Sequence, residues 1–193
     1  MLPLLIIFAY LIASISMAII ICKILDLPDP RTQGSNNPGA TNVLRIGGKK
    51  AAAATLIGDG LKGFIPVALG QYLGIGDQEL ALIALSAFLG HVYPIFFGFK
   101  GGKGVATFIG SLLALNYFAG LAFIVTWLFV AKVLKISSLS ALIATFLTPL
   151  FFYLLTGKIA ATYILAVICI WIFYTHRSNI KRMLSGEEGS IKS

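Results

Sequence analysis

The first apolar stretch, LPLLIIFAYLIASISMAIIIC at residues 2–22, decides the fold because it contains no charged side chain. A helix rises about 1.5 Å per residue and the hydrocarbon core of a bilayer is about 30 Å thick, so about 20 such residues cross it. The stretch is too long for the apolar part of a signal peptide, and no basic segment precedes it. It therefore predicts a transmembrane span and not a cleaved leader.

Similar apolar segments follow along the whole chain. Of its 193 residues, 58% are hydrophobic and only 11% are charged, against about a quarter charged in a soluble domain. The runs are continuous, which favours helices over the alternating pattern of a β-barrel. We predict an all-α polytopic integral membrane protein, one domain over 1–193, with a short polar tail at 185–193 that is expected to fray. The seven predicted transmembrane helices are 2–22, 51–73, 80–98, 104–116, 118–134, 138–156 and 159–175, of which the fourth is short.

Charges between these spans predict the orientation. Alternate connections and the C-terminal tail collect the basic residues Lys23, Arg31, Arg45, Lys49, Lys50, Lys100, Lys103, Lys132, Lys135, Arg177, Lys181, Arg182 and Lys192. The other connections hold Asp77, Glu79 and Lys158. The positive-inside rule then places the N-terminus outside and the C-terminus in the cytoplasm. The net charge of +8 is thereby used for orientation and for anionic substrates or lipid headgroups, and we expect no nucleic-acid partner.

The first polar segment, Gly34–Arg45, combines glycines, a proline and short amide and hydroxyl side chains before an arginine. Such a stretch can present backbone N–H groups to an anion and supply a bidentate phosphate donor. The alternative is a plain turn with a helix cap, for which Ser35 or Asn42 alone would be typical.

The second span contains a charged pair, Asp59 and Lys62, three residues apart and hence on one helix face. Charges within a span are costly and usually face a cavity or a partner. The pair either shapes a substrate cavity or neutralises itself to stabilise helix packing.

A cationic, glycine-rich turn joins the third and fourth spans. Lys100, Gly101, Gly102, Lys103 and Gly104 could surround a phosphate with charge and backbone N–H groups. A positive-inside turn would not need so many glycines. The turn is not a Walker A loop, because Phe97 stands where that motif has glycine.

A fourth polar segment lies where the last span ends. His176 and Asn179 share a face if the helix continues, whereas Arg182 is typical of a stop-transfer anchor. Ser138 opens the sixth span on the same side, where it could simply cap the helix. All four segments reach the cytoplasmic face, which predicts a site for a phosphorylated substrate beside lipid.

These motifs, in this order, resemble the bacterial acyl-phosphate:glycerol-3-phosphate acyltransferases, the PlsY family. The resemblance rests on SNNPGATN at 35–42 with Arg45, on Asp59 with Lys62, on His91 and Pro94 running into KGGKGVAT at 100–107, and on His176 with Asn179. One position departs, because the family usually has glycine where this chain has Asn36. The resemblance implies seven transmembrane helices in the bacterial cytoplasmic (inner) membrane with the active site facing the cytoplasm. It also implies acyl transfer from acyl phosphate to the sn-1 hydroxyl of glycerol 3-phosphate, which gives lysophosphatidic acid.

On this resemblance we assign roles within the predicted site. We expect the catalytic group to comprise Arg45, Lys103, His176 and His91. The acyl-phosphate group is assigned to Ser35, Arg45, Lys103, His176 and Asn179, with N–H groups of Gly101 and Gly102 assisting. Glycerol 3-phosphate is assigned to Lys100, Asn42 and Ser138, while Asp59 and Lys62 shape the cavity.

The identity of the general base stays open at this point. A histidine followed five residues later by aspartate is absent, since Phe96 follows His91 and Lys181 follows His176. A phosphate oxygen of the substrate, His91 or His176 could take the proton. We expect no cofactor and no metal, and a protein that acts as a monomer in membrane lipid.

Two other classes of protein are weighed against an enzyme. A transporter or channel for an organic phosphate would need polar or interrupted segments that reach the outer side, but the outer connections are short. A lipid-binding structural protein would not need clustered lysines and glycines.

Overall fold

The computed structural model describes residues 1–191, and all the regular secondary structure in that range is helical. Most connections are short, but residues 25–39 and 93–104 form longer ones, and the second contains a 3₁₀ turn at Ile95–Phe97. The prediction of an all-α fold is confirmed for these residues. The helices are α1 (Leu2–Ala13), α2 (Met17–Ile24), α3 (Ala40–Tyr72), α4 (Asp77–Val92), α5 (Val105–Leu115), α6 (Tyr117–Leu134), α7 (Ser137–Thr156), α8 (Ile159–Thr175) and α9 (Arg177–Leu184).

Each predicted span coincides with helix, but not all are long enough to cross a bilayer alone. Among residues 1–191, five helical segments have the required length and composition, or six if α8 and α9, which meet at 55°, count as one. Helix α5 has 11 residues and covers about half of a 30 Å hydrocarbon core. By length and composition the structure therefore gives five or six spans where the sequence predicts seven.

The first span is interrupted at Ser14–Ser16, between α1 and α2. Ser14 Oγ donates to Tyr10 O (2.8 Å), and Lys62 Nζ donates to Ile15 O (2.8 Å). A lysine buried in α3 thus satisfies a carbonyl that the break leaves without its helical partner.

Helix α3 begins at Ala40, well before the predicted start at 51. Its N-terminal part bends at Gly48, whose φ of 76° and ψ of −173° fall where residues with a Cβ are strained. Arg45 therefore lies on a helix and not on a loop as predicted.

Small residues bring α3 and α5 into close contact. A Cβ added at Gly63 would collide with Thr107 O, and one added at Gly110 would collide with Gly60 O. Thr107 Oγ also donates to Asp59 O (2.9 Å). This packing by small residues and interhelical hydrogen bonds is typical of membrane helices.

The helix bundle has an apolar exterior and two distinct ends. Large side chains such as Phe129, Phe146 and Ile170 are about 70% exposed, as expected for residues that face lipid. At one end, Lys158 Nζ pairs with Asp77 Oδ2 (2.9 Å), which joins the starts of α8 and α4. The four predicted polar segments gather at the opposite end.

Candidate active site

A cavity of about 1680 Å³ brings together most of the predicted site residues. It lies between the loop before α3, the Lys103 turn, the start of α7 and the α8–α9 corner. Of the predicted residues, it is lined by Ser35, Asn42, Arg45, Asp59, His91, Lys103, Ser138, His176 and Asn179.

Three helices direct their N-terminal ends at this cavity. Gly39 and Ala40 begin α3, Gly104 and Val105 begin α5, and Ser137 begins α7, and all of them line the cavity. Helix N-termini carry free N–H groups and partial positive charge, so they attract anions. Their convergence adds to the charge of the basic side chains.

Lys103 is held in place at the polar end. Its Nζ donates to Asn179 Oδ1, and its carbonyl accepts from Thr175 Oγ (3.1 Å). Burial lowers the pKa of Lys103 to about 8, and the charges of Arg182 and Arg45 act in the same direction while Glu188 opposes them. Lys103 is therefore charged at neutral pH and close to its titration range.

His176 forms the corner between α8 and α9 and is 4% exposed. Its Nδ1 lies 2.8 Å from Ile172 O. Because a carbonyl only accepts, Nδ1 carries the proton in the neutral ring, and Nε2 is the nitrogen left to accept.

Asn42 positions the loop that bears Ser35. Its Oδ1 accepts from Ser35 N (2.9 Å), and its Nδ2 donates to Pro30 O (2.8 Å) and Gln33 O (2.9 Å). Its polar atoms are thus occupied by backbone, which favours a positioning role over the predicted contact with glycerol 3-phosphate. Asn36 has a φ of 56°, a left-handed conformation that asparagine adopts more readily than most residues, and this explains how it stands where glycine is usual.

A buried cluster lies beneath the site. Lys62 Nζ is 2.8 Å from Asp59 Oδ1, and His91 Nδ1 is 3.7 Å from the same oxygen. All three side chains are at most 6% exposed. His91 joins the predicted pair, and both interpretations of the pair stay open, because Asp59 is bonded to Lys62 and also lines the cavity.

The predicted role of Gly101 and Gly102 as phosphate donors is not supported. Gly101 N donates to Val92 O (3.1 Å) and Gly102 N to His91 O (3.2 Å), so both N–H groups are used at the end of α4. Added Cβ atoms would collide with His91 O at Gly101 and with the His91 ring at Gly102. These glycines are required for close packing. Lys100 is exposed and lines a separate cavity of about 390 Å³ beside Ser35.

Two residues of the site were not predicted. Arg182, interpreted from sequence as an anchor, lines the cavity and pairs through Nε with Glu188 Oε2 (2.7 Å). Glu188 belongs to the tail that was expected to fray, yet residues 187–191 line the cavity and Ile191 N donates to Lys135 O (2.7 Å). The acidic pair Glu187–Glu188 in an otherwise basic C-terminal tail was the available signal.

The cavity continues from its polar end into an apolar groove. Its walls are Leu56, Ile57, Leu61 and Phe64 of α3, Ile109 and Leu113 of α5, and Ile124, Trp127 and Leu128 of α6. Leu56 is 50% and Ile57 62% exposed, so the groove opens toward the lipid-facing side of the bundle. Among residues 1–191, no three His, Cys, Asp or Glu side chains gather as a metal site.

An apolar helix bundle with a cationic cavity that leads into an apolar groove defines an integral membrane protein with a site for amphipathic anions. The sequence matches the glycerol-3-phosphate acyltransferase family over residues 3–186, and the chain belongs to that family.

Relatives agree over nearly the whole length. The glycerol-3-phosphate acyltransferase of Ruthia magnifica subsp. Calyptogena magnifica is 68% identical and aligns over 97% of this chain and 95% of its own. That of Hydrogenovibrio crunogenus is 55% identical over 95% and 88% of the two chains. The crystal structure of PlsY, an integral membrane glycerol 3-phosphate acyltransferase, in its glycerol 3-phosphate form superposes with a TM-score of 0.94 at 39% identity, covering 99% of this chain and 96% of PlsY. Its lysophosphatidic acid form gives 0.90 at 38% identity, covering 98% and 94%.

Proposed function

We propose that this protein transfers a fatty acyl group from acyl phosphate to the sn-1 hydroxyl of glycerol 3-phosphate and so makes lysophosphatidic acid for phospholipid synthesis. The observation that supports this best is the single cavity with two chemistries: a cationic end and an apolar groove. PlsY was crystallised in forms with glycerol 3-phosphate and with lysophosphatidic acid. A phosphate headgroup and an acyl chain match the two parts of the cavity.

The reaction needs alignment and charge neutralisation more than activation. The sn-1 oxygen attacks the acyl carbon, the bond from that carbon to the phosphate oxygen breaks, and phosphate leaves with the electron pair. The hydroxyl proton ends on the departing phosphate, so that hydrogen phosphate and the ester are formed. Acyl phosphate is a mixed anhydride, so the site contributes by holding two anions close together.

The polar side chains of the cavity form two groups, one at its buried end and one at its mouth. Lys103, Asn179 and His176 surround the buried polar end, where an acyl phosphate can enter with its chain in the groove. Arg45 and Ser35 are exposed at the mouth, and Ser138 lies at the start of α7. We assign Arg45 and Ser138 to the more soluble glycerol 3-phosphate and Lys103 to the acyl phosphate.

Proton transfer to the substrate phosphate is favoured over a histidine base. His91 lies against Asp59 beneath the site and is 6% exposed. His176 has Nε2 free to accept, so it is the alternative. Replacing each histidine with alanine and measuring the pH–rate profile tests this: loss of a neutral-pH limb in His176→Ala with substrate binding retained would contradict substrate assistance.

The orientation belongs to the same proposal. We infer that the chain crosses the bacterial inner membrane seven times, as the sequence predicts, with the ion pair of Asp77 and Lys158 outside and the cavity at the cytoplasmic face. We also propose that the protein acts as a monomer.

The decisive experiment supplies purified protein in lipid with glycerol 3-phosphate and either acyl phosphate or an acyl thioester. We expect lysophosphatidic acid from acyl phosphate only, and a loss of at least about 100-fold in Lys103→Ala, typical of removing a preorganised charge at a reacting centre. Lys158→Ala removes the same charge at the opposite end and is the matched control. Flux of labelled glycerol 3-phosphate into liposomes without any lysophosphatidic acid would favour a transporter instead.

A further inference from the structure

The C-terminal tail turns back over the cavity by a defined helix-ending motif. Gly186, with a φ of 72°, follows the last turn of α9. Its N–H donates to Met183 O (3.2 Å), and Glu187 N donates to Arg182 O (2.8 Å). These two bonds form a Schellman motif, which reverses the chain direction.

The reversed tail places the Glu188 carboxylate among the donors of the site. Oε1 accepts from Ser138 Oγ (2.6 Å) and from Asn179 Nδ2, and Oε2 accepts from Arg182 Nε (2.7 Å). The side chain is 8% exposed. The Asn179 amide also accepts a hydrogen bond from Lys103 Nζ, so it links the Glu188 carboxylate to the Lys103 ammonium.

These donors are of the kind that a phosphate monoester requires: a hydroxyl, an amide and a guanidinium, with an ammonium close by.

The tail is fixed on both sides of Glu188. Ile191 N donates to Lys135 O (2.7 Å), and the backbone at Gly189 passes beside Arg45, where an added Cβ would lie 3.5 Å from Nη2.

We propose that Glu188 is a specificity-determining residue that occupies the phosphate position of the free site and must be displaced by the phosphate of a substrate. The proposal rests on the assignment of this cavity as the substrate site. Displacement by a dianionic phosphate restores every hydrogen bond that the carboxylate gives up. A neutral or singly charged ligand restores fewer of them, so the tail raises the selectivity for phosphate.

The same geometry disfavours Glu188 as a general base. Burial alone would raise the pKa of Glu188, but the hydrogen bonds from Ser138, Asn179 and Arg182 outweigh it and hold the pKa below its usual value. A carboxylate stabilised in this way is a weak proton acceptor.

Affinity for inorganic phosphate, measured by calorimetry on the full chain in lipid, is the first test. A bound competitor multiplies the apparent affinity by the fraction of sites that it leaves free, so a tail that fills nine sites in ten weakens binding about tenfold. We expect Glu188→Ala and Glu188→Gln to bind phosphate more tightly, by about tenfold for alanine, which is what one charge-assisted hydrogen bond is worth. Glu187→Ala removes the neighbouring charge and is the matched control. Equal affinities in Glu188→Ala and Glu187→Ala would overturn the proposal, as would a fall in kcat with loss of the acidic limb of the pH–rate profile.

The release of the tail can be measured separately. Cys22 and Cys169 are buried, so a thiol introduced by Ile191→Cys, at a half-buried position whose N–H is bonded to Lys135 O, would dominate maleimide labelling and become more accessible when the tail is displaced. We expect added inorganic phosphate to increase the labelling rate several-fold, and no increase would contradict displacement. Neither the phosphate affinity nor the labelling rate requires acyl transfer. A wild-type protein that made no lysophosphatidic acid would refute the proposed function while these results still decided the role of Glu188.

Discussion

At the scale of single residues, Lys103 is the side chain whose charge should limit activity within an accessible pH range. Its pKa is lowered to about 8 by burial, with Arg182 and Arg45 adding to the effect and Glu188 opposing it. His176 lies beside it and contributes no charge when neutral. Only the protonated ammonium attracts a phosphate, so the active form is present below this pKa and is lost above it.

We therefore predict that kcat/KM falls above about pH 8 by about tenfold per pH unit, because this parameter reports the ionisation of the free enzyme. Lys103→Arg should move that limb above about pH 10, since a guanidinium stays protonated, even though the altered shape lowers the rate. Lys158→Arg, at the far end of the molecule, is the control. An alkaline limb that stays near pH 8 in Lys103→Arg would show that another group is responsible.

The roles of some single residues could be predicted from the sequence, and those of others could not. Lys103, His176 and Asn179 were predicted, because Lys103 stands among glycines that orientation alone does not require and because His176 and Asn179 share one helix face. The uses of Asn42, Gly101 and Gly102 were not predictable in this way. Whether an amide or N–H faces a ligand or a carbonyl depends on hydrogen bonds to Pro30, Val92 and His91, which are set only by the folded chain.

At the scale of elements, the close approach of α3 and α5 positions the cavity walls. Gly63 and Gly60 lie on the same helix, but they face different surroundings. An added Cβ at Gly63 would collide with Thr107 O, whereas one at Gly60 would find its nearest neighbour, Ala106 O, at 3.8 Å.

We predict that Gly63→Ala destabilises the protein by about 1–3 kcal/mol, the usual cost of overpacking. Gly60→Ala should be neutral or stabilising by up to about 1 kcal/mol, because alanine favours the helix. The midpoint of thermal unfolding in detergent measures both. Equal shifts in the two variants would mean that the contact between α3 and α5 is looser than the structure indicates.

The positions of the helices were predicted well where a long apolar run alone decides them. The apolar runs coincide with helices because a buried or lipid-facing backbone must satisfy its own hydrogen bonds. The early start of α3 was not predicted, because residues 40–50 contain glycine and basic residues that are typical of a loop. The break between α1 and α2 depends on Lys62, which is distant in sequence and satisfies Ile15 O.

At the scale of the whole molecule, the positions of charge divide the protein into two ends. The cavity, with its basic side chains and helix N-termini, lies at one end, and the pair of Lys158 and Asp77 lies at the other. The positive-inside rule assigns the first end to the cytoplasm. Helix α5 decides the number of crossings, since its 11 residues cross only if the membrane is thin there or if neighbouring helices shield its ends.

We predict that a membrane-impermeant maleimide labels Lys158→Cys on intact cells and labels Lys50→Cys only after permeabilisation. Both buried native cysteines, Cys22 and Cys169, should give little background.

Tyr117→Cys, at the junction of α5 and α6, separates seven crossings from five. It should label from outside if α5 crosses, because α6 then returns the chain to the cytoplasmic end. Absence of labelling of Tyr117→Cys both before and after permeabilisation would place it within the membrane and make the α5–α6 hairpin re-entrant. Reversal of the Lys158→Cys and Lys50→Cys pattern would invert the proposed orientation, and the cavity would then face away from the cytoplasmic supply of glycerol 3-phosphate.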